Sequence, residues 1–188
     1  MVMIDYLEIP HVPDAAACAA LRDELRAASG SAAALLSGEV RPLVRRVTRV
    51  AVPDALQGRL TKLLMAQKGA LERHFGVALT TCEPPQFLRY QEGDFFVPHQ
   101  DGNTPLLHDD SRFRKVSVVL FLSPQADKPA PDTYGGGALV LHGPYMGPPL
   151  QVTMPNAPGT LVAYRAETTH EVTPVTHGER FTIVSWFR

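Results

Sequence analysis

Between residues 87 and 187 the apolar residues fall into eight short runs, 87–91, 95–99, 116–122, 138–142, 150–153, 160–164, 170–175 and 180–187, bounded by Gly, Pro and polar turn residues. Runs this short are strands rather than ordinary helices. At this spacing the arrangement that buries them is a sandwich or jelly roll.

The first 82 residues have a different texture, rich in Ala, Leu and Arg. Asp14 is positioned to cap a helix whose apolar residues Cys18, Leu21, Leu25 and Ala28 recur at three- and four-residue intervals and which ends near Gly30. A second helix is predicted from Asp54, with Leu56, Leu60, Leu63, Leu64, Leu71 and Phe75 on one stripe, stopping at Gly76. The fold class read from this is α+β. A double-stranded β-helix core (jelly-roll or cupin-like) of about eight strands in residues 83–188 rests on mainly helical residues 1–82, the whole forming one domain over 1–188. Two stretches rich in Asp, Pro and Gly, 102–115 and 125–137, read as long loops at the mouth of the sandwich. The first follows a candidate metal motif and suits a lid.

A formal net charge of −1, from 18 basic and 19 acidic residues, gives no global field that would draw nucleic acid or an anionic membrane. The most basic stretch sets Arg41, Arg45, Arg46 and Arg49 among valines and reads as the solvated face of a strand. Cys18 and Cys82 lack a paired metal or redox spacing and are expected to be reduced thiols. The start carries no basic n-region, and no apolar run approaches the roughly 18 residues that span a bilayer, so a cytoplasmic chain is expected.

His99 and Asp101 lie two residues apart, so on a strand they project to one face and can share an ion. That spacing alone is weak, because His108 and Asp110 repeat it. Context separates the two: His99 ends the aromatic run Asp94-Phe95-Phe96-Val97-Pro98, whereas His108 lies in a polar loop and reads as solvated. His170 begins a late strand and can supply a third ligand. Arg180, ten residues on, returns beside it after a turn through residues 174–178, where its planar guanidinium suits a distal carboxylate. Two imidazoles and one carboxylate on one face of an octahedron leave three positions open, which suits iron(II), a 2-oxo acid and dioxygen. Taken singly, His170 also reads as a core histidine and Arg180 as an ion-pair partner of Glu171 or Glu179.

The ordered set H-x-D, His, and Arg ten residues later resembles the iron(II)/2-oxoglutarate-dependent dioxygenase superfamily, in its prolyl-hydroxylase-like branch, over about residues 84–188. Tyr90 with Gly93, the run Leu120-Phe121-Leu122-Ser123, the turn Gly136-Gly137-Ala138-Leu139, and Gly178-x-Arg180 are similar to that branch's motifs. The resemblance implies iron(II), 2-oxoglutarate and O2 as cofactor and co-substrates. It makes His99, Asp101 and His170 the metal ligands and Arg180 the anchor of the 2-oxoglutarate C5 carboxylate, with Tyr90 approaching the co-substrate, Trp186 lining the pocket, and Leu139 and Val119 as walls. Phe121 departs from the pattern, since a Tyr often stands there to assist the Arg. Thr182, on the same strand face as Arg180, is the first candidate for the missing hydroxyl and Tyr164 the second.

The implied activity is hydroxylation of an unactivated C–H bond, and the presence of Asp101 disfavours a halogenase. The implied substrate is a prolyl or other residue in a protein or peptide, or a free amino acid or small metabolite. Arg112, Arg114 and the Arg45-Arg46 segment are candidate substrate contacts. The rivals are a cupin-like module that binds without oxidising and a different metal enzyme such as a zinc hydrolase.

Overall fold

The computed structural model describes residues 3–33, 40–105, 108–144 and 150–188. In chain order the elements are β1 (Tyr6–Ile9), α1 (Ala15–Ala27), β2 (Gly30–Ala32), β3 (Arg45–Arg46), β4 (Thr48–Val50), α2 (Asp54–Met65), α3 (Lys68–Phe75), β5 (Gln86–Tyr90), β6 (Phe95–His99), β7 (Val116–Phe121), β8 (Tyr134–Gly136), β9 (Leu139–His142), β10 (Gln151–Thr153), β11 (Leu161–Arg165), β12 (His170–Val172), β13 (Val175–Gly178) and β14 (Arg180–Phe187).

The strands form a seven-stranded sheet in the order β1-β11-β7-β14-β5-β4-β2 and a five-stranded sheet in the order β10-β9-β12-β6-β3. The β13-β8 pair forms a small third sheet. All pairings between these strands are antiparallel, the pattern of a jelly roll. Alternation along the central strands decides what each face meets. Phe181, Ile183 and Phe187 of β14 and Val116, Val118 and Leu120 of β7 turn outward, onto a core completed by Leu25, Leu56, Leu60, Leu64, Leu71 and Phe75 of the helices. The intervening residues Arg180, Thr182, Val184 and Trp186 turn inward, toward the smaller sheet, and line a cleft.

Asp14 caps α1 as expected, its Oδ1 accepting from Ala17 N at 2.8 Å. The second predicted helix is two helices. Its stripe of Leu56, Leu60, Leu64, Leu71 and Phe75 stays buried, but Gln67 N closes on Leu64 O three residues back, a tightened turn that ends α2 before α3 starts. Gly76 then stops α3 with the left-handed φ of 63°.

Two further expectations are corrected, and one is extended. Residues 1–82 supply the three helices and also short strands, β1 and β2 forming the two edges of the large sheet and β3 an edge of the small one. Residues 170–175 are not one strand. The chain passes from the small sheet to the third sheet through Pro174, which has no N–H to continue a ladder. The stretch 125–137 is not all loop, since it contains β8, paired with β13. Of the stretch 102–115, Leu106 and Leu107 lie outside the described residues, and Asp110–Phe113 form a 3-10 turn. Cys18 and Cys82 are both free thiols. Among the described residues no helix is long and apolar enough to cross a membrane.

Candidate active site

Strand pairing explains how residues far apart in sequence meet. β12 lies beside β6 with His170 directly opposite His99, and Asp101 follows β6 by two residues. His99 Nε2 is 3.5 Å from Asp101 Oδ1, and His170 Nε2 is 3.4 Å from Asp101 Oδ2. The three ligand atoms all lie within 4.8 Å of one another.

Both imidazoles are oriented from behind. His99 Nδ1 sits 2.8 Å from Val97 O and His170 Nδ1 2.9 Å from Thr168 O, contacts that a protonated Nδ1 donates. That tautomer leaves each Nε2 lone pair turned toward the carboxylate. Burial, only partly offset by Asp101, lowers the His170 pKa to about 4, so this imidazole is neutral at neutral pH. Burial works against the charge of Asp101, yet His170, His99 and Trp186 outweigh it and hold the carboxyl far below the usual carboxylate range. Two imidazole nitrogens and one ionised carboxylate converging on a point fit a divalent metal with open positions.

Arg180 is 1% exposed. It faces Tyr90 across the β14–β5 pairing, and its guanidinium carbon lies 4.8 Å from the Tyr90 ring centre and 5.3 Å from that of Phe121. Neither alternative ion-pair partner takes it: Glu179 binds Arg26 and Glu171 binds His142. Its Nε has no hydrogen-bond partner among the described residues, and neither has the buried Thr182 Oγ1 two residues along the same face. Buried donors are satisfied in the great majority of proteins. Orphaned donors on one wall of a cleft whose other end holds a metal-type cluster fit the distal carboxylate of a 2-oxo dicarboxylate.

The same cleft is lined by all of Tyr90, His99, Asp101, Leu139, Tyr164, His170, Arg180, Thr182 and Trp186, and by Val119. Gly137 makes room for it. With φ at +57°, its missing Cβ would lie 2.9 Å from both Arg180 Cδ and Val175 Cγ2. Gly137→Ala is therefore expected to lower stability by about 1–3 kcal/mol through backbone strain alone and to displace Arg180. A thermal melt reads the first effect, and an unchanged Tm would contradict it.

Two expectations about charge are corrected. Arg45 does not lie on a solvated face: it is 9% exposed and lines the cleft, while Arg46, the next residue of β3, points outward to Asp94. Arg114 is not placed to contact substrate. It is 5% exposed, stacks on Trp186 at 3.8 Å, binds both oxygens of Glu83 and donates to Asp101 O at 3.2 Å. Arg112 and His108 are exposed. The sequence did not point to Ser117, whose hydroxyl donates to Asp101 Oδ2 at 2.7 Å, or to Phe96, whose ring stacks on His99 at 3.5 Å. A small polar residue within the apolar run 116–122 was the available signal for Ser117.

A family model described as the 2OG-Fe(II) oxygenase superfamily matches residues 85–188. A PKHD-type hydroxylase of Shewanella sp. (strain MR-7) is 33% identical over 183 residues, covering 97% of this chain and 77% of that protein. A PKHD-type hydroxylase of Burkholderia ambifaria (strain MC40-6) is 35% identical over 190 residues, covering 96% and 77%. Among solved structures, a Pseudomonas putida prolyl-4-hydroxylase superposes with a TM-score of 0.70 at 24% identity, over 99% of this chain and 94% of that one. A Trichoplax adhaerens prolyl hydroxylase, solved with a hypoxia inducible factor oxygen degradation domain peptide fragment, superposes with a TM-score of 0.72 at 16% identity, over 98% and 84%. These two likenesses establish the fold.

Proposed function

Because the chain belongs to the 2OG-Fe(II) oxygenase superfamily, we propose that His99, Asp101 and His170 hold iron(II), and Arg180 the distal carboxylate of 2-oxoglutarate, in a dioxygenase that hydroxylates an unactivated C–H bond. The observation that carries the residue assignment is the buried guanidinium of Arg180, with an orphaned Nε, in the same cleft as the His-Asp-His cluster. A guanidinium removed from water is costly unless an anion meets it there. Family membership sets aside the binding-module and zinc-hydrolase rivals.

When bound, iron(II) and 2-oxoglutarate supply the oxidising chemistry, 2-oxoglutarate leaving as succinate and carbon dioxide. The chain's residues supply position and exclusion. The locked tautomers of His99 and His170 present two nitrogens, and Ser117 fixes the carboxylate of Asp101 between them. Thr182 stands directly across from Phe121 in the β14–β7 register, so its hydroxyl is available beside the position where the family's Tyr is missing. Tyr90 and Tyr164 flank the co-substrate side of the cleft, while Leu139 and Val119 form apolar walls that keep water from the reacting carbon.

The substrate is an amino-acid residue in a protein or peptide, or a free amino acid or small metabolite. The relatives' names as hydroxylases and the neighbours' names as prolyl hydroxylases support this range. The test is anaerobic titration of the iron(II)-loaded protein with 2-oxoglutarate, following the visible metal-to-ligand charge-transfer band. The band is expected in wild type, and in Thr182→Val it should need about 10-fold more 2-oxoglutarate, the loss of one hydrogen bond to a charged group. No band with iron demonstrably bound would sink the assignment, and a Thr182→Val titration equal to wild type would remove the hydroxyl from it.

A further inference from the structure

The carboxylate of Asp101 is held from the large sheet, whereas the two imidazoles come from the small one. Asp101 lies just past β6, its N–H donating to Ala166 O at 2.9 Å and its carbonyl accepting from Arg114 at 3.2 Å. With the backbone tied on both sides, the freedom that remains is rotation of the carboxylate. The imidazoles do not settle that rotation. His99 Nε2 stands 3.5 Å from Oδ1 and His170 Nε2 3.4 Å from Oδ2, distances so nearly equal that both oxygens are free to turn toward one ion.

Ser117 breaks this symmetry. Its hydroxyl donates to Oδ2 at 2.7 Å, and the pair is buried, Ser117 being 1% exposed and Asp101 9%. Ser117 is the polar member of β7, whose sequence is otherwise Val, Val, Val, Leu and Phe. A hydroxyl in such a strand is costly to bury unless an acceptor meets it. Its neighbours across the ladder are Tyr164 of β11 and Trp186 of β14, two large side chains that line the same cleft and confine the hydroxyl between them. Trp186 also favours the ionised carboxylate from this side.

The count of coordination positions gives this hydrogen bond its consequence. Two imidazoles and one carboxylate oxygen leave three positions of an octahedron, the number that a 2-oxo acid bound through two atoms and dioxygen need together. A second carboxylate oxygen would take one of the three. Drawing Oδ2 to the metal would pull it from Ser117 and leave a buried donor unsatisfied, an unfavourable exchange.

We propose that Ser117 is a positioning residue that holds Oδ2 of Asp101 off the metal, so that Asp101 ligates through Oδ1 alone and the position dioxygen needs stays open. This rests on the oxygenase assignment above and adds to it a residue that governs coordination number and not affinity.

The experiment uses the intact protein loaded anaerobically with iron(II) and 2-oxoglutarate, whose visible band establishes independently that the underlying assignment holds. Nitric oxide is the probe of the open position, because its complex with iron(II) gives a half-integer-spin electron paramagnetic resonance signal that iron(II) alone lacks. In Ser117→Ala, iron(II) affinity is expected to stay within about 3-fold of wild type and the band to form, while the nitric oxide concentration for half-maximal signal rises by at least about 10-fold. Ser117→Thr, which keeps the hydroxyl, should restore the wild-type titration, and Ser117→Cys, a weaker donor, should fall between. A hydroxyl that merely supported the ligand would give the opposite pattern, iron(II) affinity lower by about 10- to 100-fold and nitric oxide binding to the loaded protein unchanged. That result would overturn the proposal, and so would Ser117→Ala behaving like wild type in both titrations. A crystal structure of the wild-type protein with iron(II) and 2-oxoglutarate needs no variant to fold. Oδ1 alone bonded to the metal, with Oδ2 kept by Ser117, is the expected result, and both oxygens bonded, or Oδ2 alone, would contradict it. Absence of the band in protein with iron demonstrably bound would instead fail the oxygenase assignment.

Discussion

Replacing Arg180 by alanine is expected to raise the 2-oxoglutarate concentration needed for half-maximal formation of the charge-transfer band by about 30- to 4,000-fold. The range corresponds to about 2–5 kcal/mol, the usual cost of truncating one partner of a buried, hydrogen-bonded charge pair. Arg180 is 1% exposed, and its Nε finds no partner among the described residues, so in the proposed complex the ligand's carboxylate would complete its hydrogen bonding. Iron(II) binding should survive, because His99, Asp101 and His170 sit on β6 and β12 of the other sheet and just after β6, and take their orientation from Val97, Thr168 and Ser117. Separate titrations with iron(II) alone and with iron(II) plus 2-oxoglutarate distinguish the two losses. Arg180→Lys should recover only part of the affinity, since an ammonium cannot reproduce the two parallel bonds of the fork. If Arg180→Ala binds 2-oxoglutarate like wild type, the distal carboxylate is held elsewhere and the polarity of the co-substrate in the cleft must be reversed.

The chemistry of this site was legible because its residues follow local rules. A two-residue spacing on a strand fixes a shared face, which gave Arg180 with Thr182, and the same spacing brings Asp101 beside His99 although Asp101 lies just past the end of β6. The return of the chain toward the site after His170 was anticipated but its route was not: residues 174–178, read as a turn, contain β13, which pairs with β8 before β14 begins. What was not legible depends on partners distant in sequence. The strands β1 to β4 are two to four residues long, too short for an alternating pattern, and gain their conformation from pairing with one another and with β11, β5 and β6. Arg45 and Arg46 are the same residue type side by side, and only the pairing with β6 decides which one faces the cleft. The break between α2 and α3 leaves the apolar stripe intact, so the stripe could not announce it. Arg114 was read as a surface charge because its partner Glu83 lies 31 residues upstream.

That pair leads to the second large effect, at a residue to which no motif pointed. Glu83 accepts from Arg114 Nε at 2.8 Å and Nη2 at 2.6 Å, and from Arg188 Nε at 3.0 Å and Nη2 at 2.8 Å. Its side chain is 15% exposed and that of Arg114 6%. Arg114 so held stacks on Trp186 and donates to the backbone carbonyl of Asp101, so Glu83 supports the metal carboxylate through one intermediary. Glu83→Ala leaves the Arg114 guanidinium buried without its carboxylate, a loss of about 3–5 kcal/mol. In a chain of this length that corresponds to a fall in Tm of roughly 6–20 °C. Because the support of Asp101 loosens with it, iron(II) affinity should drop by about 10- to 100-fold. Glu83→Gln keeps the shape and isolates the charge. Burial opposes ionisation of Glu83, but its hydrogen bonds from Arg114 and Arg188 and their charges prevail and hold its carboxyl below the usual range. A carboxyl depressed in the folded state contributes stability above its unfolded pKa of about 4.3, and that contribution is lost as the pH falls through the lower folded value. The stability gap between wild type and Glu83→Gln should thus be full at pH 7 and close in acid. Urea unfolding at a series of pH values measures it, and a gap that is absent at pH 7, or one that persists unchanged into strong acid, would show that Glu83 acts through packing and not through its charge on Arg114.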